Sequence, residues 1–130
     1  METFWLNAAF YQAKFVQGNT GHNPAVGCVI VKNSKIVGVG HTSTGGRPHA
    51  EENALKMAGN KSIGATLYVT LEQCNLKDNF NSCTNLIIKS GLEQVIMPML
   101  DPNKKTFKRG YKALTNAGVK VKTIKPTFSN

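Results

Sequence analysis

The chain has few of the features that mark disulfide-rich, membrane-spanning or repetitive proteins. Only 3 of its 130 residues are cysteine, too few for the framework that holds small secreted domains together. No apolar run approaches the roughly 20 residues that cross a bilayer, and no repeat or linker is present. Glu2 lies where a secretion signal would carry basic residues. We therefore expect one cytoplasmic domain over residues 1–130, with no membrane association.

Acidic residues are also scarce, because 7 Asp and Glu face 16 Lys and Arg and leave a net charge of +9. A basic surface attracts phosphate groups, which fits either a nucleic acid or a small phosphorylated substrate. The positive charge is most concentrated at Lys104, Lys105, Lys108, Arg109 and Lys112. This cluster fits a solvated helix face as well as a binding patch. Charge alone therefore does not identify the partner.

The hydrophobic pattern alternates between helical and extended periods. Phe4, Ala8, Tyr11 and Phe15 recur at helical spacing and predict the apolar face of a first helix. The pattern predicts helices at 3–17, 49–59, 84–90 and 106–117, and strands at 26–32, 35–40, 65–71, 93–99 and 119–124. Alternation of helix and strand after an initial hairpin predicts an α/β fold, a three-layer α/β/α sandwich with a mixed five-stranded sheet.

Four residues carry the chemistry that the sequence predicts. His49 and Glu51 lie two residues apart, and Cys74 and Cys83 follow with eight residues between them. One imidazole and two thiolates supply three ligands of a tetrahedral Zn²⁺ and leave the fourth position for water. His49 and Glu51 begin one predicted helix, and Cys83 directly precedes another. Two positive helix ends near the metal would favour thiolate over thiol.

The predicted chemistry is metal-assisted hydrolysis. Zinc brings the pKa of water toward neutrality, and Glu51 is placed to take the proton and later to pass it to a leaving nitrogen. Glu52 points about 100° away around the helix, and we interpret it as a solvated charge.

Other interpretations remain open for these residues. His49 could merely cap its helix while Cys74 and Cys83 are buried. A structural zinc site could use His22 or His41 as a fourth protein ligand, but Glu51 would then have no role. Cys28 lies within an apolar strand-like run, where a free thiol packs as a small hydrophobic group.

Several segments together resemble the cytidine deaminase-like superfamily. They are Asn23-Pro24-Ala25-Val26-Gly27, Arg47-Pro48-His49-Ala50-Glu51, Thr70-Leu71-Glu72-Gln73-Cys74 and Asp101-Pro102-Asn103. Nearly end to end, the chain looks most like the deaminase domain of the bacterial bifunctional deaminase–reductase of riboflavin biosynthesis. The eight-residue gap between the cysteines is the most diagnostic similarity, because most other deaminases of the superfamily have a gap of two.

The resemblance implies a substrate and its contacts. The substrate would be a phosphorylated pyrimidine, the diamino-phosphoribosylamino-pyrimidinone of riboflavin synthesis, deaminated on its ring. His49, Cys74 and Cys83 would bind Zn²⁺, and Glu51 would be the catalytic proton carrier. Asn23, His41, Asp101 and Asn103 would line the pocket, and Lys77 would contact phosphate. For Asn23 and for the Asp101–Asn103 segment, a turn without contact to substrate is the alternative.

The resemblance also implies partners and leaves two alternatives. A homo-oligomer is expected, and reduction would need a separate reductase chain. The segment between Cys74 and Cys83 departs from the family pattern, with Gln73 before the first cysteine and Phe80-Asn81-Ser82 before the second. One alternative is therefore a deaminase of a free base, nucleoside or nucleic acid. The other is an inactive zinc-folded partner subunit.

Overall fold

Strands and helices alternate along the chain in the order that the sequence predicts. The computed structural model describes residues 2–19, 21, 25–45, 49–70, 83–98 and 112–125. Its helices are α1 (Glu2–Ala13), α2 (Ala50–Ala58) and α3 (Cys83–Ser90), and its strands are β1 (Gly27–Lys32), β2 (Lys35–His41), β3 (Thr66–Val69), β4 (Gln94–Pro98) and β5 (Lys120–Ile124). Short 3₁₀ turns follow α1 and α2 at Lys14–Val16 and Gly59–Ser62. Residues 112–116 are also helical, within the fourth helix that the pattern predicts.

The five strands form one mixed sheet in the order β2-β1-β3-β4-β5. β1 is antiparallel to both of its neighbours, whereas β3, β4 and β5 are parallel. It follows that β2, β3, β4 and β5 all run in the same direction. Their carboxyl ends therefore share one edge of the sheet, and the helices that follow β2 and β3 begin at that edge. Open α/β sheets usually bind ligands there.

Alternate strand residues point to opposite faces of the sheet, and each face is covered by helix, which confirms the three-layer prediction. One face packs against α2 and α3 and contributes Cys28, Ile30, Leu67, Val69, Val95 and Met97. The other face packs against α1 and contributes Val29, Val31, Tyr68 and Ile96. The sheet is therefore buried between two helical layers, as a sheet with parallel strands requires.

α1 is confirmed as a helix, but its predicted apolar face was wrong. The large side chains at helical spacing are exposed: Phe4 and Tyr11 at 61%, and Phe15 at 59%. The buried residues are instead Leu6, Ala9 and Ala13. Gly27 explains this choice, because a Cβ on Gly27 would meet the backbone of Ala9 and Ala13. The small residues of α1 lie against the sheet, and the bulky ones cannot approach so closely.

The hairpin between β1 and β2 forms at the predicted turn. Asn33 and Ser34 have φ values of 53° and 63°, the left-handed conformation that a two-residue hairpin of type I′ requires. This tight turn fixes which residues of β2 face α2. Among the described residues, no helix is both long enough and apolar enough to cross a membrane.

Candidate active site

The first turn of α2 carries the predicted His-x-Glu pair at the carboxyl edge of the sheet. His49 is the N-cap residue, with extended backbone at φ −74° and ψ 163°, and the Nε2 atom of its ring is buried. The backbone N–H of His49 donates a hydrogen bond of 3.2 Å to Oε1 of Glu52. Glu52 is therefore half of a capping arrangement. The interpretation of Glu52 as a solvated charge was wrong.

Glu51 is a buried acid. Only 3% of its surface is exposed, which is rare for a carboxylate without a function. It lies in the first turn of α2, where the positive end of the helix favours a negative charge. Cys28 of β1 interacts with it electrostatically. Burial, and secondarily the charge of Glu51, raise the pKa of the Cys28 thiol well above its usual value.

Cys28 is thus a buried, protonated, free thiol, as the sequence predicts. It interacts electrostatically with Glu51, the acid that the predicted hydrolysis needs.

α3 brings a second helix N-terminus to the same region. The helix begins at Cys83 and packs against α2. The side chain of Cys83 and the whole of Cys74 lie outside the described residues. The part of the chain that the structure describes accordingly contains no cluster of three His, Cys, Asp or Glu side chains. The residues present fit zinc. The buried Nε2 atom of His49 and the start of α3 at Cys83 lie at the same edge of the sheet, and imidazole nitrogen and thiolate sulfur are ligands that zinc prefers.

Asn53 fixes the segment that delivers His49. It lies one turn after His49 on α2, and its backbone N–H donates to the His49 carbonyl at 3.1 Å. Its side-chain amide donates to the carbonyl of His41 at 2.8 Å and to Oγ of Ser43 at 3.0 Å. One amide group therefore holds both the end of β2 and the start of the following loop.

Two threonine hydroxyls hold the beginning of β1 at the same edge. Oγ1 of Thr42 accepts a hydrogen bond of 2.9 Å from the N–H of Val26. Oγ1 of Thr70 accepts one of 3.1 Å from the N–H of Gly27. Both threonines are buried, and they follow β2 and β3 directly. These bonds continue the hydrogen-bond ladders between β1 and its neighbours β2 and β3 into the loops around the site.

The ring of His41 packs against the turn that follows α1. It stacks on Phe15, which follows α1, with ring centroids 5.8 Å apart, and its Nδ1 donates to the Thr42 carbonyl at 3.0 Å. It lines a surface cavity of about 530 Å³ together with Gln12, Asn53 and Met57. The structure therefore brings the backbone of His41 to the α2 segment and its ring to the outer edge of β2.

The other predicted substrate contacts, Asn23, Lys77, Asp101 and Asn103, lie outside the described residues, as does His22. Of the basic cluster near the C-terminus, only Lys112 is described, and it is exposed. The structure adds Asn53, Thr42 and Thr70, which the sequence interpretation did not assign to the site. The sequence gives no local signal for them, because each acts through a backbone partner outside its own element.

Fold and site together define a deaminase of the cytidine deaminase-like class. Residues 2–99 match the family described as the cytidine and deoxycytidylate deaminase zinc-binding region, and the chain belongs to this family. The matched region contains His49, Glu51, Cys74 and Cys83. Zinc binding is a property of this family, and the candidate zinc ligands all lie within the part of the chain that matches it.

Within that class, several of the similar proteins are enzymes of riboflavin biosynthesis. The chain is 46% identical over 117 residues to riboflavin biosynthesis protein RibD of Aquifex aeolicus, covering 90% of this chain and 33% of that protein. It is 45% identical over 122 residues to the diaminohydroxyphosphoribosylamino-pyrimidine deaminase of Buchnera aphidicola from Acyrthosiphon pisum, covering 94% and 83%. The chain thus spans about a third of the RibD relative but most of the Buchnera deaminase.

A solved structure agrees with these similarities. The Thermotoga maritima diaminohydroxyphosphoribosylaminopyrimidine deaminase/5-amino-6-(5-phosphoribosylamino)uracil reductase superposes with a TM-score of 0.82 at 36% identity. The superposition covers 94% of this chain and 36% of that one. The five-stranded sheet and its helical layers are therefore those of this deaminase fold.

Proposed function

We propose that residues 1–130 form a zinc-dependent deaminase domain that hydrolyses the exocyclic C–N bond of an aminopyrimidine. The observation that carries this proposal is the buried acid Glu51 two residues after His49, at a helix N-terminus on the carboxyl edge of the sheet. A buried carboxylate in the first turn of a helix is stabilised in its charged form by the helix end. This supports a role for Glu51 as a base.

Zinc fits the donor set of His49, Cys74 and Cys83. An imidazole and two thiolates are ligands that zinc prefers, and three protein ligands are typical of catalytic sites. When bound, zinc would supply the positive charge that lets water lose a proton near neutral pH. His49 would bind through its buried Nε2 atom.

Glu51 carries protons in this proposal. Its carboxylate accepts a proton from the attacking water and later donates it to the departing amino nitrogen, so that ammonia leaves and a carbonyl remains on the ring. The carboxylate is held in place because its helix turn is fixed to β2. Glu51 and Cys28 are both buried, and this burial limits the access of bulk water to the carboxylate.

The proposed substrate is the phosphoribosylaminopyrimidine named for the Buchnera relative. Support comes from identity of 45% across 94% of the chain and 83% of that deaminase. Asn23, His41, Asp101 and Asn103 stay predicted pocket residues, and Lys77 stays the predicted phosphate contact. For His41, the hydrogen bond that its carbonyl accepts from the Asn53 amide supports a contribution through its backbone position.

Partners and location follow from the proposed reaction. The Thermotoga protein is named as both deaminase and reductase, and we infer that a reductase, on this or another chain, acts on the product. A homo-oligomer stays a prediction that light scattering after gel filtration can test. Thiolate ligands stay reduced in the cytoplasm, which supports that location.

Ammonia release tests the proposal directly. Purified zinc-loaded protein would be assayed with the riboflavin precursor, cytidine, guanine and a tRNA mixture in parallel. We expect turnover with the precursor and little with the others. Turnover of cytidine, guanine or tRNA alone would overturn the substrate assignment, and no release from any of them would overturn the proposed activity.

A deaminase of a free base, nucleoside or nucleic acid is the second candidate. The observation that favours it is the net charge of +9, which suits a polyanion. An RNA substrate would have to present an extruded base to Glu51. The tRNA arm of the same assay, repeated at low and high salt, measures this directly.

A further inference from the structure

The first residues of the loop between β2 and α2 are held by several hydrogen bonds. Thr42 pairs with Val26, and the side chain of Asn53 makes two further bonds. Residues 42–48 connect the end of β2 to His49. At the β2 end, the Asn53 amide donates to the His41 carbonyl and to Ser43 Oγ. At the α2 end, the Asn53 N–H donates to the His49 carbonyl. Asn53 therefore contacts both ends of the segment that delivers the predicted metal ligand.

The two hydrogen bonds of the Asn53 side chain require a primary amide. A primary amide has two N–H donors, and here one is directed to each of two acceptors on the β2 side. Alanine has no donor, and serine or threonine can donate only one hydrogen bond. The side chain is half-buried, so water can replace these bonds only in part.

Packing around α2 limits how the first turn can otherwise be held. Gly40 lies so close to the helix that a Cβ on it would approach the N atom of Ala54 to 2.7 Å. This contact sets how near α2 can come to β2, but it does not set the position of the loop. The hydrogen bonds of Asn53 supply that second restraint, along the direction in which the loop enters the helix.

We propose that Asn53 is a positioning residue for the metal site, whose amide ties the start of the 42–48 loop to α2 and so orients His49 and Glu51. The inference rests on the proposed function, because it assigns Asn53 a role toward zinc and toward proton transfer. In this proposal Asn53 acts on the metal site through His49. Mutation of a residue that orients a metal ligand typically lowers metal affinity or activity by about 10–100-fold.

The test compares the wild-type protein with Asn53→Ala, Ser43→Ala and a control, Ser90→Ala. Ser90 is also half-buried and joins two hydrogen bonds, donating to the Ile87 carbonyl at 2.7 Å and accepting from the Leu92 N–H at 3.3 Å. It ends α3 at the far edge of the sheet. The control thus removes a similar hydrogen-bonded side chain away from the site.

Three readouts separate positioning from general stability. They are zinc affinity by chelator competition, the visible spectrum of the cobalt-substituted protein, and kcat and KM for ammonia release. We expect Asn53→Ala to weaken zinc binding about tenfold or more, to shift the cobalt bands and to lower kcat more than it raises KM. Ser43→Ala, which leaves the His41 bond in place, should change all three in the same direction by less.

The outcomes are distinct. If Ser90→Ala matches the wild type in zinc affinity and cobalt spectrum while Asn53→Ala or Ser43→Ala does not, the inference holds. If Asn53→Ala fails to fold, Ser43→Ala decides by the same readouts. If both site variants match Ser90→Ala, the inference is overturned although the proposed function stands. If the wild type itself binds no zinc, the proposed function fails first.

Discussion

Gly40 of β2 lies against Ala50 of α2 with no space between their backbones. A Cβ on Gly40 would meet the carbonyl oxygen of Ala50 and would approach the N atom of Ala54 to 2.7 Å. Ala50 directly follows His49 and directly precedes Glu51. The distance between helix and strand is therefore set at the residue that lies between the predicted ligand and the predicted proton carrier.

Gly40→Ala should both destabilise the fold and weaken metal binding. The added methyl group must displace the first turn of α2, and such overpacking costs about 1–3 kcal/mol. Urea unfolding gives the stability change, and chelator competition gives the zinc affinity. Gly118→Ala is the control, because Gly118 has φ +89° but open space around it and lies away from the site. It should lower stability through backbone strain and leave zinc affinity unchanged; equal zinc affinities for all three proteins would contradict the packing argument.

Thr70→Val should lower the free energy of unfolding by about 1–3 kcal/mol. The variant keeps the shape of the side chain but leaves the buried N–H of Gly27 without the acceptor it has at 3.1 Å, and an unsatisfied buried donor costs about that much. Thr70→Ser keeps the hydroxyl and should restore most of the loss. Urea denaturation of the three proteins checks this. A serine variant no more stable than the valine variant would show that the hydroxyl is not responsible.

The buried thiol of Cys28 should make the fold less stable at alkaline pH. Its folded pKa is raised by burial and by Glu51, whereas the unfolded thiol ionises near about pH 8.5. The folded state therefore keeps a proton that the unfolded state loses, and stability falls as pH rises beyond that value, by up to about 1.4 kcal/mol per pH unit. Below it, the contribution is constant.

Cys28→Ala removes this one titration and leaves the other cysteines in place. Urea unfolding of both proteins between about pH 7 and pH 10 should show the wild type losing stability faster above pH 8.5. Parallel profiles across the range would mean that Cys28 does not remain protonated in the fold.

The sheet was predictable from sequence because its strands carry a local signal. Val29 and Val31 alternate with Cys28 and Ile30, and both sets are apolar because both faces of the sheet are covered. Gly18 and Gly91 end helical patterns with φ of 85° and 84°. These patterns are set by neighbours along the chain, so they can be interpreted without the fold.

The first helix shows where local periodicity fails. Its residues are apolar on several sides, so spacing alone selected Phe4, Tyr11 and Phe15 for the core. The actual choice depends on Gly27, a residue of a different element, which admits only Ala9 and Ala13 at close range. Burial on α1 is therefore decided by a contact between elements, and the sequence pattern of the helix does not contain it.

The candidate site likewise contains residues that the sequence could identify and residues that it could not. His49 and Glu51 could be found because two residues of one helix turn form a local motif. The roles of Asn53, Thr42 and Thr70 could not, because each depends on a backbone partner in another element. The position of the His41 ring likewise involves stacking on Phe15, a residue that is distant in sequence.

The most direct test of the account is ammonia release by the Glu51→Gln protein carrying one equivalent of zinc. Glutamine keeps the size and polarity of the side chain but cannot accept and return a proton. We expect zinc content equal to that of the wild type and a rate of release from the aminopyrimidine lower by about 10²–10⁴-fold. A zinc-loaded variant that releases ammonia at the wild-type rate would contradict the role of Glu51 and, with it, the proposed chemistry.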